Sequence, residues 1–138
     1  MTKKDIGYLI KNINDKLKVK ADADLKRYNL TLTQSRVLAY LSSRGGQATQ
    51  KEIEVFLEVS HPTVVGLVSR MEQNGYLVCW PSEDKRNKNV KLTSQAEAIG
   101  TDMEQEVRAS EQRLLAPLSP EEQRQLREML FTIYKNMD

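Results

Sequence analysis

Residues 60–76 read SHPTVVGLVSRMEQNGY and residues 82–93 read SEDKRNKNVKLT. In the first stretch Ser60 can cap a helix, and Pro62 is tolerated in the opening turn because its missing N–H would have no partner there. Val64, Val65, Leu67, Val68 and Met71 then recur at helical spacing as a buried stripe, and Gly75 supplies a left-handed exit. Just upstream, Thr49 with Glu52 three residues later is a capping box. It opens a short helix with Ile53, Phe56 and Leu57 inward, joined to the next by a tight turn near Glu58-Val59. Downstream, residues 76–80 (YLVCW) and 89–92 read as paired strands, with 81–88 as the turn between them. Two helices joined by a tight turn and followed by a basic hairpin are the layout of a winged helix-turn-helix. Its second helix enters the major groove of duplex DNA.

Outward from that module, Ile6, Leu9, Ile10, Ile13, Leu17, Ala21, Leu25 and Tyr28 mark one long amphipathic helix over roughly residues 3–28. Thr33 is the expected cap of a second helix carrying Val37, Leu38 and Leu41, ended by Gly45-Gly46. Thr93 caps a long helix that Pro117 stops, and Ser119-Pro120-Glu121-Glu122 is a further capping box opening the last helix. The expected fold is mainly α with a small β wing, in the order helix, helix, helix, helix, strand, strand, helix, helix. Residues 31–94 form the DNA-binding lobe of a single domain spanning 1–138, and 1–30 with 95–138 supply dimerisation helices. The terminal helices carry apolar stripes too long for the central module to cover, and a second copy is the simplest cover.

Composition narrows the function classes. The chain has 138 residues, 39% apolar and 29% charged, within the range of an ordinary globular domain. No apolar run approaches the ~20 residues of a membrane helix, and TKKDIGYLIKN after Met1 lacks a secretory apolar core. The lone Cys79 excludes an intrachain disulfide and fits a reducing cytoplasm. One His, one Cys, no glycine-rich phosphate loop and no carboxylate cluster argue against an enzyme, and no cofactor or metal is expected. Net charge is +2, but residues 1–48 carry ten Lys/Arg against four Asp/Glu, and residues 96–138 carry five against nine. Those opposed halves suit either attraction within a dimer or two solvated faces.

Residues for DNA contact follow from helix starts and the wing. Ser60, His61, Pro62, Thr63, Ser69 and Arg70 lie at or near the solvent side of the recognition helix 60–74. Small polar groups there suit close approach, and Arg70 can reach guanine or phosphate. Gly66, mid-helix, costs roughly 1 kcal/mol against Ala, and close approach of DNA or a neighbouring helix would account for it. In the wing 81–91, Arg86 is the leading residue, since a narrow minor groove attracts an inserted Arg. Lys85, Lys88 and Lys91 suit phosphates, as do Arg36, Thr49 and Gln50 at other helix starts. A winged helix used as a protein-interaction module is the competing class, and the basic wing argues for DNA.

The pattern of a recognition segment ending Asn74-Gly75-Tyr76-Leu77, then Asp84-Lys85-Arg86, then Leu92-Thr93-Ser94, resembles the MarR family of bacterial transcription regulators. The Leu32-Thr33 opening of the second helix fits as well, and the resemblance covers nearly the whole chain. It implies a homodimer on a (pseudo)palindromic operator, acting as a ligand-responsive repressor. It makes Asp84 a brace that orients Arg86 through a charge-assisted hydrogen bond. It also implies a small aromatic or phenolic effector between the first helix and the winged lobe, for which Tyr8, Lys11, Asn12, Tyr28 and Arg36 are the candidates. Peroxide-sensing relatives place a cysteine in or near the first helix. Cys79 instead falls on a wing strand with no basic sequence neighbour, which suits a structural thiol rather than a sensor.

Overall fold

The computed structural model describes residues 5–84 and 86–138. In chain order it contains α1 (Ile6–Leu25), a 3-10 turn (Lys26–Tyr28), α2 (Leu32–Ser43), β1 (Gln47–Thr49), α3 (Gln50–Leu57) and α4 (His61–Gln73). There follow β2 (Leu77–Pro81), β3 (Lys88–Leu92), α5 (Ser94–Leu115) and α6 (Pro120–Asn136). The expected helices and wing strands are present. The addition is β1, which pairs antiparallel with β3, Ala48 opposite Val90, to complete a sheet of order β1-β3-β2. Gly45 and Gly46, both at positive φ, turn the chain out of α2 straight into this strand.

The chain divides into two compact units, Met1–Val107 and Arg108–Asp138. The core of the first unit gathers Leu25 of α1, Val37, Leu38 and Leu41 of α2, Ile53 of α3, and Val64, Leu67, Val68 and Met71 of α4. Leu77, Val90 and Leu92 close it from the sheet, and Ala96 and Met103 from α5. Helix starts are fixed by caps. Thr31, not Thr33, caps α2, because Gln34 stands three residues after Thr31 and returns the reciprocal bond of a capping box. The Leu32 N–H donates to the Asp22 carboxylate at 2.7 Å, tying α2 back to α1. The Thr49 and Ser119 boxes form as expected.

In the second unit, the Gln123 side-chain amide donates to the Leu115 and Leu118 carbonyls and closes the corner before α6. Two apolar faces stay uncovered: Ile6, Leu9, Ile10 and Ile13 on α1, and Met129, Leu130, Phe131, Ile133 and Tyr134 on α6. Apolar exposure repeated along a helix face marks an interaction surface.

Candidate nucleic-acid interface

The turn between α3 and α4 is sharp because Glu58 adopts a left-handed conformation (φ 55°) and its N–H closes on the Glu54 carbonyl. Ser60 then caps α4. Its hydroxyl accepts from the Thr63 N–H at 3.4 Å and shares a hydrogen bond with the Thr63 hydroxyl at 2.8 Å. At the far end the Tyr76 N–H reaches the Met71 carbonyl and the Gly75 N–H reaches Glu72, the paired bonds of a glycine-terminated helix. Gly75 has φ 84°, and a Cβ there would lie 2.9 Å from the Gln95 carboxamide oxygen.

With Val64, Leu67, Val68 and Met71 buried, α4 turns His61, Pro62, Thr63, Ser69 and Arg70 to solvent. Val65, expected in the buried stripe, is 41% exposed instead. It lines a cleft of about 240 Å³ between α4 and the wing, together with Gln50, His61, Ser69, Glu72, Cys79, Arg86 and Lys88. Glu72 spans the cleft, accepting the Cys79 N–H at 3.2 Å and so fixing the wing strand to the recognition helix. Gln50 is buried and forms part of the cleft lining rather than a free surface contact.

The wing turn is knitted by its own polar groups. The Asp84 carboxylate accepts from the Arg86 main-chain N–H at 3.1 Å, and the Asn87 N–H donates to the Asp84 carbonyl. The brace expected between Asp84 and Arg86 therefore runs to the main chain and shapes the turn, and Arg86 lines the cleft. Asn87, which sequence reasoning missed, accepts from the Lys51 N–H at 3.2 Å and anchors the wing to the first turn of α3. A short polar residue at the foot of a basic turn was the signal available for it.

The other expected contacts are spread. Lys91 pairs across from Val78 on the sheet face opposite Val90, away from α4. Arg36 is exposed on α2 outside the cleft. Thr49 spends its hydroxyl on capping α3. Arg70 lines a separate hollow of about 470 Å³ with Asp22, Lys26, Thr31 and Gln34, where the end of α1 meets the end of α4. Lys85 lies outside the described residues.

The effector candidates do not converge. Lys11 is paired with Asp15, and the Asn12 amide donates to the Tyr8 carbonyl. About 26 Å of helix separates Tyr8 from the end of α1. Tyr28 lies beyond that end, where its carbonyl accepts the Tyr76 hydroxyl at 2.5 Å.

Electrostatics favour anions on the wing side of the cleft, through Arg86 and Lys88. Burial first, and the Glu72 carboxylate second, push the Cys79 thiol up to about 11, so it stays protonated at neutral pH. That agrees with a structural rather than a redox-active cysteine.

The MarR family model matches residues 28–86, which run from the 3-10 turn after α1 through α4 to Arg86. The chain is 36% identical over 118 residues to the HTH-type transcriptional regulator YwoH of Bacillus subtilis (strain 168), covering 83% of this chain and 85% of that one. The chain belongs to the MarR family. Its other MarR-type relatives include the HTH-type transcriptional regulator PecS of Dickeya dadantii (strain 3937), 29% identical over 84% of this chain and 72% of PecS. Its fold matches that of S. aureus MepR in a DNA complex, with a TM-score of 0.89 and 27% identity over 97% of this chain and 98% of MepR. A mutant E. coli MarR complexed with operator DNA matches with a TM-score of 0.81 and 26% identity over 93% of this chain and 92% of that MarR. In this MarR-family transcriptional regulator the cleft lies between α4 and the wing. Among the described residues, no helix is long and apolar enough to cross a membrane.

Proposed function

We propose that this chain is a cytoplasmic homodimeric repressor that binds a (pseudo)palindromic duplex operator and releases it in response to a small ligand. The observation that carries the DNA reading is the α4–wing cleft, with the exposed face of a capped recognition helix on one side and Arg86 and Lys88 on the other. Residues 60–74 enter the major groove, and the wing 81–91 brings Arg86 to the minor groove. The helices in 1–30 and 95–138 pair the two copies, burying the apolar faces of α1 and α6 and setting the spacing of the lobes. The protein acts by binding and not by catalysis, as its transcription-regulator relatives do.

The effector is a small aromatic or phenolic molecule bound between α1 and the winged lobe. The hollow where Asp22, Lys26 and Thr31 meet Arg70 supports that placement, because a ligand there touches both the end of α1 and the recognition helix. Hydroxyl-radical footprinting of the promoter upstream of the gene tests the paired-lobe reading. Two protected half-sites centred about 10 bp or a multiple apart are expected. Protection of one asymmetric site contradicts the dimer.

A further inference from the structure

His61 is the single histidine of the chain, the first residue of α4, and lines the cleft that the wing faces. Its side chain is 61% exposed, while that of Glu54 on α3 is only 19% exposed. The two are hydrogen-bonded through His61 Nδ1 and Glu54 Oε1, across the turn made by Glu58. An ionised carboxylate only accepts hydrogen bonds. The hydrogen in this contact therefore sits on Nδ1, and in the neutral ring Nε2 is left as a bare acceptor.

We propose that Glu54 is a positioning residue that holds His61 in the Nδ1–H form, so that the start of the recognition helix presents an acceptor and selects cytosine or adenine in each half-site. This rests on the DNA reading above and adds to it which edge is read. In the major groove cytosine N4 and adenine N6 carry donor hydrogens, whereas guanine O6 and N7 and thymine O4 are acceptors. A lone pair at Nε2 pairs with the first two and opposes the others. Among the described residues, the remaining charged and titratable groups of the cleft are Glu72 on α4, Cys79 on β2, and Arg86 and Lys88 in the wing. Lys88 attracts phosphate without regard to sequence and Arg86 serves the minor groove, so the imidazole is the cleft's reader of major-groove base edges.

Two measurements test it. Long-range proton–nitrogen NMR on the free protein reads the tautomer directly, since one imidazole gives one set of signals. A pyrrole-type Nδ1 and a pyridine-type Nε2 are expected in the wild type, and a shift toward the Nε2–H form in Glu54→Ala. A wild type that carries a hydrogen on Nε2, as the Nε2–H tautomer or as the imidazolium, overturns the proposal. Selection from a randomised duplex library with the wild type, His61→Ala and Glu54→Gln reads the consequence. The wild type is expected to enrich adenine or cytosine at one position per half-site by about tenfold, the worth of one hydrogen bond against an unpaired acceptor. Both variants are expected to lose that preference while keeping the rest of the motif, because His61→Ala removes the ring and the Gln amide pairs with either tautomer, accepting through its oxygen or donating through its nitrogen. A wild-type motif left identical in His61→Ala refutes this inference alone. A wild type that enriches no motif refutes the DNA reading along with it.

Discussion

Gly66→Ala is expected to stabilise the protein while weakening DNA binding. Gly66 lies in the interior of α4, where Gly costs roughly 1 kcal/mol relative to Ala. Among the described residues, a Cβ built there meets only the Arg70 guanidinium nitrogens, at 3.9 and 4.0 Å, which is ordinary contact with the far end of a flexible side chain. Nothing from a neighbouring helix comes within that distance, so tight helix packing does not explain the glycine. The folded state therefore gains about 0.5–1 kcal/mol, partly through a less flexible unfolded chain, or about 2–4 °C in Tm. The same methyl group projects beside Arg70, on the side of α4 proposed to face the groove. If backbone and DNA approach closely there, the methyl costs about 1–3 kcal/mol of overpacking, which is roughly five- to 150-fold in Kd. Thermal unfolding and fluorescence anisotropy with a promoter duplex give the two numbers. An unchanged Kd with a raised Tm removes Gly66 from the contact surface. A lowered Tm refutes the helix argument itself.

Arg86→Ala is expected to weaken operator binding by about 1–3 kcal/mol with little change in Tm; unchanged affinity in a filter-binding titration would remove the wing from the interface. Thr31→Ala should cost ~1 kcal/mol in denaturant unfolding because it breaks a capping box, and Thr33→Ala only a few tenths; the reverse order would restore Thr33 as the cap. For Cys79, the folded thiol titrates near 11, above its ordinary value of 9.0. Its contribution to stability is thus fully present below pH 9 and is lost as the pH rises through 11. Cys79→Ser should flatten the alkaline limb of the stability curve and leave any peroxide response intact, and a response abolished by Cys79→Ser would assign the thiol a sensing role.

The helices were legible because their signals are dense. Stripes, caps and a terminal glycine agree over residues 60–76, and the structure follows them almost residue for residue. The failures have separate physical causes. β1 spans three residues, too few for alternation to register, and it owes its place to pairing with β3. Thr33 stands closer to the apolar run of α2, yet only Thr31 has a Gln three residues on to return the bond. Phe56 and Val65 have helical spacing, but α3 buries only Ile53 among its apolar residues, and α4 turns Val65 into the cleft. Phe56 stacks on Tyr40 at 4.2 Å and stays 47% exposed.

The candidate site was legible in its cations and its helix start. Its internal wiring was not. Glu54 to His61, Glu72 to Cys79, and Asn87 to Lys51 are tertiary contacts seven to thirty-six residues apart, between residues that read singly as solvated surface. The effector candidates are spread for the opposite reason. They came from a family likeness that names a region, and the length of α1 keeps Tyr8 and Tyr28 apart.

The most direct test of the central claim is a salt titration of binding to the gene's own upstream promoter duplex, against a scrambled duplex of equal length. If the dimer neutralises about eight phosphates, log K should fall with log[salt] at a slope near −7. Tight, promoter-selective binding with such a slope is the expected result. Weak, unselective binding with a slope near zero would contradict the account.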